Sequence, residues 1–347
     1  MTDSSLPFIS HDLPGIAGKI KAEPAHFVVE EIPLYEPCGE GDHLYVCLTR
    51  EGETTKSIET TLGSLFGLGE RDIGCAGLKD KQARATQTFS LNLRDKSESE
   101  VADRIRQVCP YELHWVRRHR NKLKPGHLLG NRFRIVVLGT EDGAMEQAEV
   151  VADFLKTHHI PNFYGAQRFG VDGQNAERGR EILLGKGPRK RWQRRFLLSA
   201  YQSFLFNLWL VERIRRGWFD VLVAGDIAKK TDTGGLFLVE NLDEERPRFG
   251  RGELTYTGPM YGAKMRWAED DAGELERAIL TEAEVTDEML RRAKVSGSRR
   301  TARLSLDDLK IEPHPDGLLF SFFLPKGAYA TTVLREFMKS ETALPED

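Results

Sequence analysis

Apolar and polar positions along this chain alternate between a strand-like period of two and a helix-like period near 3.6. Residues 18–50 read as strands, and in 42–48 (DHLYVCL) the apolar residues 44, 46 and 48 share one face. A helix follows. Thr54 or Thr55 can cap it, Ile58, Leu62, Leu65 and Phe66 form one stripe, and Gly67 and Gly69 supply its stop. Residues 88–93 (TFSLNL) alternate strictly, as a half-buried strand does. Another strand is expected over 131–137, and a helix over about 144–156 with Ala144, Ala148, Val151, Ala152 and Leu155 on one side. The longest helical pattern spans 197–216 through Leu197, Tyr201, Phe204, Leu208 and Val211. A buried strand at 318–324 and a helix from Thr331, carrying Val333, Leu334, Phe337 and Met338, close the chain. Strands and helices mix without regular βαβ alternation, which predicts an α+β fold with a largely antiparallel sheet. Pro161 and the basic stretch before Leu304 are the expected domain edges.

Composition narrows the class. A length of 347 residues suggests about two domains, and 40% hydrophobic with 30% charged residues suits a globular chain. No run approaches the ~18 apolar residues of a membrane span, and the N-terminus lacks the features of a signal peptide. Cys38, Cys47, Cys75 and Cys109 are scattered with no C-x-x-C, which points to neither a zinc site nor a disulfide framework and suits a reducing cytoplasm. Gly67-Leu68-Gly69 is too short for a dinucleotide fingerprint, no phosphate-binding loop occurs, and His158-His159 lacks metal-ligand spacing. The expectation is a cytoplasmic monomer with no membrane association, no nucleotide cofactor and no metal.

Charge changes the picture locally. The net charge is −3, yet residues 114–124 hold five Lys/Arg, 186–195 hold six around Trp192, and 291–303 form a third cluster, all free of acids. Screening confines each patch to its own ~8–10 Å neighbourhood, so these runs can meet a polyanion although the whole chain is acidic.

The segment Cys75-Ala76-Gly77-Leu78-Lys79-Asp80-Lys81-Gln82 carries the candidate chemistry. A glycine followed by Lys-Asp-Lys, between two hydrophobic segments, makes a loop that presents Asp80. Flanking lysines favour the ionised carboxylate, the form that covalent catalysis by Asp requires. Read locally, a charged hairpin tip facing water is the simpler description.

Residues Gly77 to Ala83 with Thr86-Gln87 resemble the signature of the TruD family of tRNA pseudouridine synthases. Collinear matches are 27–30 (FVVE), 130–133 (GNRF), 161–170 (PNFYGAQRFG), 198–207 (LSAYQSFLFN) and 327–336 (GAYATTVLRE), which together span nearly the whole chain. The resemblance implies a pseudouridine-synthase fold on a mixed, mainly antiparallel sheet. It also implies a discontinuous catalytic domain, 1–157 and 305–347, interrupted by a family-specific α+β domain at 158–304. The implied activity is cofactor-free isomerisation of uridine to pseudouridine in tRNA, at uridine 13 of the D-arm. Asp80 matches the nucleophile and Lys21 a lysine beside it. Phe27, Asn131 and Tyr329 match positions contacting the target nucleotide, and Phe133 joins them. Tyr329 departs from the Phe usual there, keeping the ring face but adding a hydroxyl. Without the resemblance, Phe27 and Phe133 would be core, Asn131 a turn residue and Lys21 surface. The competing reading is a non-catalytic RNA-binding protein, which would tolerate Asp80→Asn. A methyltransferase would need a glycine-rich cofactor loop.

Overall fold

The computed structural model describes residues 6–170, 172–188 and 190–340, so Arg189 of the second basic run lies outside it. The first stretch runs β1 (Phe27–Pro33), β2 (His43–Arg50), α1 (Thr55–Phe66), β3 (Ile73–Cys75), β4 (Arg84–Asn92), α2 (Glu98–Val108), β5 (Glu112–His119), β6 (Leu128–Leu138) and α3 (Ala144–His158). The middle holds β7 (Ile160–Pro161), α4 (Asn175–Leu183), α5 (Arg191–Arg215), β8 (Ile227–Lys230), β9 (Leu236–Leu238) and α6 (Leu242–Gly250). It continues through β10 (Leu254–Met260), α7 (Asp270–Glu282), α8 (Asp287–Arg292), β11 (Ser298–Thr301) and β12 (Arg303–Leu304). Then β13 (Lys310–His314), β14 (Gly317–Pro325) and α9 (Ala330–Met338) close the chain. Two compact units result: Ile16–Glu149 with Leu306–Gly327, and Val150–Ser305 with described residues 6–15 and 328–340.

The first unit is built on an eight-stranded sheet in the order β13-β14-β6-β1-β4-β2-β5, with β3 also paired to β4. Only the β1–β4 pair is parallel, so the sheet is mixed and mainly antiparallel, as the α+β reading expects. Helix α1 starts where Thr54 accepts the Ser57 N–H at 3.1 Å and ends at Gly67, whose φ of 68° is easily adopted only without a Cβ. Its Ile58 and Leu62 join Val101 and Ile105 of α2 over Leu44, Val46, Leu48, Phe89 and Leu91 of the sheet. Each such side chain contributes about 1.5–3 kcal/mol on leaving water.

Strand β4 differs from the half-buried pattern expected of it. Thr88 and Ser90, on its polar face, are buried as well. It pairs with β1, β2 and β3, and the returning chain covers that face: Ser90 Oγ accepts the Leu123 N–H at 3.0 Å. Strand β14, expected to be wholly buried, instead buries Leu318, Phe320, Phe322 and Leu324 and leaves the alternate residues partly open. Asn131 lies within β6 rather than in a turn. Its neighbour Gly130 is required there, because a Cβ would meet the Leu324 carbonyl and the Phe323 ring.

The second unit centres on α5. Leu197, Leu198, Tyr201, Leu205, Phe206, Trp209 and Leu210 pack with Leu254 and Tyr256 of β10 and Leu275 and Ile279 of α7. Its antiparallel sheet has the order β11-β10-β8-β9. Helix α5 begins at Arg191, six residues before the apolar pattern, so the basic run forms its opening turns. Helix α9 is fastened to the start of the chain: Ser10 Oγ and the N–H groups of Ile9 and Ser10 donate to the buried Glu336 carboxylate. No helix among the described residues is long and apolar enough to cross a membrane.

Candidate active site

Four elements converge on the turn between β3 and β4 and fix it, three of them through its backbone. Thr55, the first residue of α1, accepts the Lys79 N–H at 3.0 Å. Gln87 of β4 donates its side-chain amide to the Gly77 carbonyl. Arg50, at the end of β2, donates from Nη1 to the carbonyls of Asp80 at 2.8 Å and Ala83 at 3.2 Å. Lys79 pairs with Glu31 of β1, and both side chains are buried. Within the turn, the Gln82 N–H donates to Asp80 Oδ1 at 3.2 Å, closing an Asx turn. A loop tied at five points holds its side chains in place as a strand would, which a catalytic group requires.

The cation serving Asp80 is not a flanking lysine. Lys79 turns to Glu31, and Asp80 pairs with Lys21, which lies outside the sheet and 59 residues away along the chain. The Asp80 side chain is 43% exposed and that of Lys21 only 2%, so one partner is offered outward while the other is set behind it. Lys21 is therefore buried, contrary to its local reading as surface. Its φ is 63°, in the left-handed region that side chains with a Cβ seldom adopt, at a cost of order 1–3 kcal/mol. The Lys21 Nζ lies 4.7 Å from the centroid of the Phe27 ring. Phe27 meets Phe133 edge-on at 6.2 Å, and Phe133 meets Phe322 at 5.6 Å. Phe27 and Phe133 are 5% and 7% exposed, which makes them an apolar wall under Lys21 and leaves little open ring face.

Asn131 stands opposite Glu31 on β1 and Leu324 on β14. Its Oδ1 is buried without a hydrogen-bond partner among the described residues, an arrangement that asks for a donor from elsewhere. Tyr329 belongs to the second unit, where it precedes α9 and its ring meets Tyr164 at 5.8 Å. Burial pushes the Tyr329 phenol above its ordinary value, so it stays a hydrogen-bond donor. The first unit thus unites Asp80, Lys21, Phe27 and Phe133, with Asn131 on the same sheet.

Arg50, Thr55, Glu31 and Gln87 went unassigned in the sequence reading. Gln87 sits in the Thr86-Gln87 pair, and Glu31 is an acid inside an apolar strand, which is a signal for a buried partner. Burial pushes Arg50 below its ordinary value, with Asp80, Glu53 and Tyr111 opposing. Burial also lifts Cys75 to about 12 and Cys47 to about 11, so neither nearby thiol is a nucleophile at neutral pH. Among the described residues no cluster of three His, Cys, Asp or Glu is placed to hold a metal.

A model of the family described as tRNA pseudouridine synthase D (TruD) matches residues 6–188 and 189–337. The chain belongs to the TruD family. Membership makes it an enzyme of the tRNA pseudouridine synthase class, an isomerase. A tRNA pseudouridine synthase D of Thermus thermophilus is 43% identical over 336 residues, covering 96% of this chain and 92% of that one. That of Anaeromyxobacter sp. Fw109-5 is 42% identical over 356 residues, covering 100% and 99%. A crystal structure from Methanosarcina mazei carrying the same family designation superposes with a TM-score of 0.75 at 26% identity, over 97% of each chain. The TruD fold is therefore shared across almost the full length.

Proposed function

We propose that this TruD family member converts uridine 13 in the D-arm of tRNA to pseudouridine, with Asp80 as its nucleophile. The observation that carries the reading is an outward-facing carboxylate backed by a buried ammonium on a loop tied to four elements. In the reaction the C1′–N1 bond breaks, the uracil turns over, C5 bonds to C1′ and the C5 proton leaves. Atoms balance without a cofactor. Asp80 can serve by attacking C1′, by adding to C6, or by taking the 2′ proton on a glycal route, and Lys21 stabilises its charge on each.

The uridine must leave its stack first, which costs a few kcal/mol. Stacking on an aromatic ring offsets about 1–3 kcal/mol of this. By its place in the family motif Tyr329 is the residue we assign to that ring, while Phe27 and Phe133 support Lys21. Asn131 Oδ1 is the acceptor for a uracil N–H or a ribose hydroxyl. The exposed cations of the first two basic runs hold the tRNA backbone by shape and charge, whereas Arg299 and Arg303 of the third are buried in pairs with Glu276 and Asp220. The cytoplasm, where tRNA is processed, is the expected setting. We read 1–157 and 305–347 as the catalytic domain and 158–304 as its insertion. The compact units differ from this at both ends of the chain, because Tyr329 and Thr331 meet Tyr164 and Gln167 of the middle segment while Ser10 is tied to Glu336.

Unmodified tRNA tritiated at C5 of uridine tests the reading. Protein alone should release tritium, Asp80→Ala should abolish release, and sequencing of the product should map one site. Release that persists in Asp80→Ala would overturn the assignment of the nucleophile.

A further inference from the structure

The opening turns of α5 carry two exposed rings that neither the fold nor the proposed chemistry uses. Trp192 is 67% exposed and Phe196, one turn later, is 45% exposed, with Arg195 exposed between them and Arg191 exposed beside Trp192. Two large rings at i and i+4 on one open helix face are unusual where nothing covers them. Behind them, Arg168 stands 5.8 Å from the centre of the Phe196 ring and is held by the hydroxyls of Ser199 and Ser203 of the same helix. Arg168 is therefore a held cation beside the Phe196 ring.

Its electrostatics run against helix stability. Position Lys190 caps α5 without a side-chain hydrogen bond, and the first turn contains no acid. Lys190, Arg191, Arg194 and Arg195 crowd the end where the helix dipole is already positive, which disfavours each cation. The same chain builds a stabilised start elsewhere: α2 opens on a Ser97–Glu100 capping box with acids in its first turn. None of these four cations has an ion-pair partner among the described residues. Packing a second copy here would bring like charges together. A polyanion bearing planar rings complements the face in both charge and shape.

We propose that this face is a second RNA contact, in which Trp192 and Phe196 stack an unpaired base of the substrate tRNA while Arg191 and Arg195 hold the flanking phosphates. The assignment rests on the reading of tRNA as substrate and adds a site in the unit that does not hold Asp80.

Binding of an unmodified tRNA transcript to the full chain carrying Asp80→Ala, which cannot turn over, provides the test. Adding Trp192→Ala or Phe196→Ala should weaken binding about 10-fold, and Trp192→Phe should restore it to within about 2-fold, since any ring can stack. Replacing Arg191 and Arg195 by Gln should reduce the slope of log K against log salt by about 1.5. With Asp80 intact, Trp192→Ala should raise KM about 10-fold and leave kcat within about 2-fold. Unchanged tRNA affinity in Trp192→Ala and Phe196→Ala would overturn the proposal, as would a wild-type dimer in sedimentation that Trp192→Ala dissolves. If the Asp80→Ala protein with an intact face bound tRNA no better than an unrelated polyanion, the substrate reading itself would fail.

Discussion

Asp80 owes its position to residues that grip the backbone of its turn. Arg50 is the chief of them, since one of its nitrogens spans the carbonyls of Asp80 and Ala83 and so sets the path of the turn. Arg50→Lys keeps a charge, but its shorter side chain sets the donor back from both carbonyls. A displacement near 1 Å at a reacting group can cost on the order of 100-fold in rate, so Arg50→Lys should lower kcat by about 10- to 100-fold with little change in KM for tRNA. Single-turnover tritium release separates this from a binding defect, and a normal kcat would remove Arg50 from the positioning role. Asp80 was legible as a candidate through the collinear family motifs, since the Gly-Leu-Lys-Asp-Lys loop read locally is a charged hairpin tip. The partner was misread at the local level. Proximity in sequence favoured Lys79 and Lys81, whereas pairing was decided by which ammonium the folded sheet could bury beside the turn.

At the scale of elements, local chemistry set boundaries wherever a side chain could satisfy a free backbone group. Thr54 and Gly67 delimit α1 at the expected residues. The Ser97-x-x-Glu100 box marks α2 equally well and was available in the sequence. Strand β4 resisted the same approach, because its alternation records one apolar face and cannot report that chain 121–128 covers the other. Helix α5 is held at its far end by a buried pair: Arg213 donates to both oxygens of Asp226, at 2.8 and 2.7 Å, and also to the carbonyls of Trp218 and Val221. Asp226→Asn would leave that guanidinium buried without its counter-charge, at a cost of about 3–5 kcal/mol. Urea unfolding should shift to lower midpoint accordingly. A change under about 1 kcal/mol would show that the carbonyls alone suffice.

For the whole molecule, a net charge of −3 conceals segregated cationic stretches, one in β5 and one in the opening turns of α5. The protein's response to acid follows from two histidines facing each other across β2 and β5, His43 and His119. Burial holds both below the ordinary 6.5, opposed at His43 by Asp42 and reinforced by neighbouring cations. The unfolded chain then binds more protons than the folded one as pH falls through 6.5. Stability is therefore full above that value and declines below it. The thermal midpoint should drop between about pH 7.5 and pH 5.5, and His43→Gln should flatten the drop. A midpoint independent of pH in that window, or one that rises on acidification, would contradict the sign.

The sequence by itself determined the α+β class, the main strands and helices, the family, and Asp80 as the residue to test first. These depend on periodicity, caps and contiguous motifs, all of which are written within a few turns of chain. The family resemblance placed Lys21 beside Asp80; only the tertiary structure decided that Lys21 is buried there, that Arg50, Thr55 and Gln87 hold the turn, and that Phe27 and Phe133 stand behind it. It likewise decided that Trp192 and Phe196 remain uncovered. Burial and long-range pairing are properties of the packed chain, and a charge or a ring acquires its role only when folding fixes what water it keeps and what neighbours it meets.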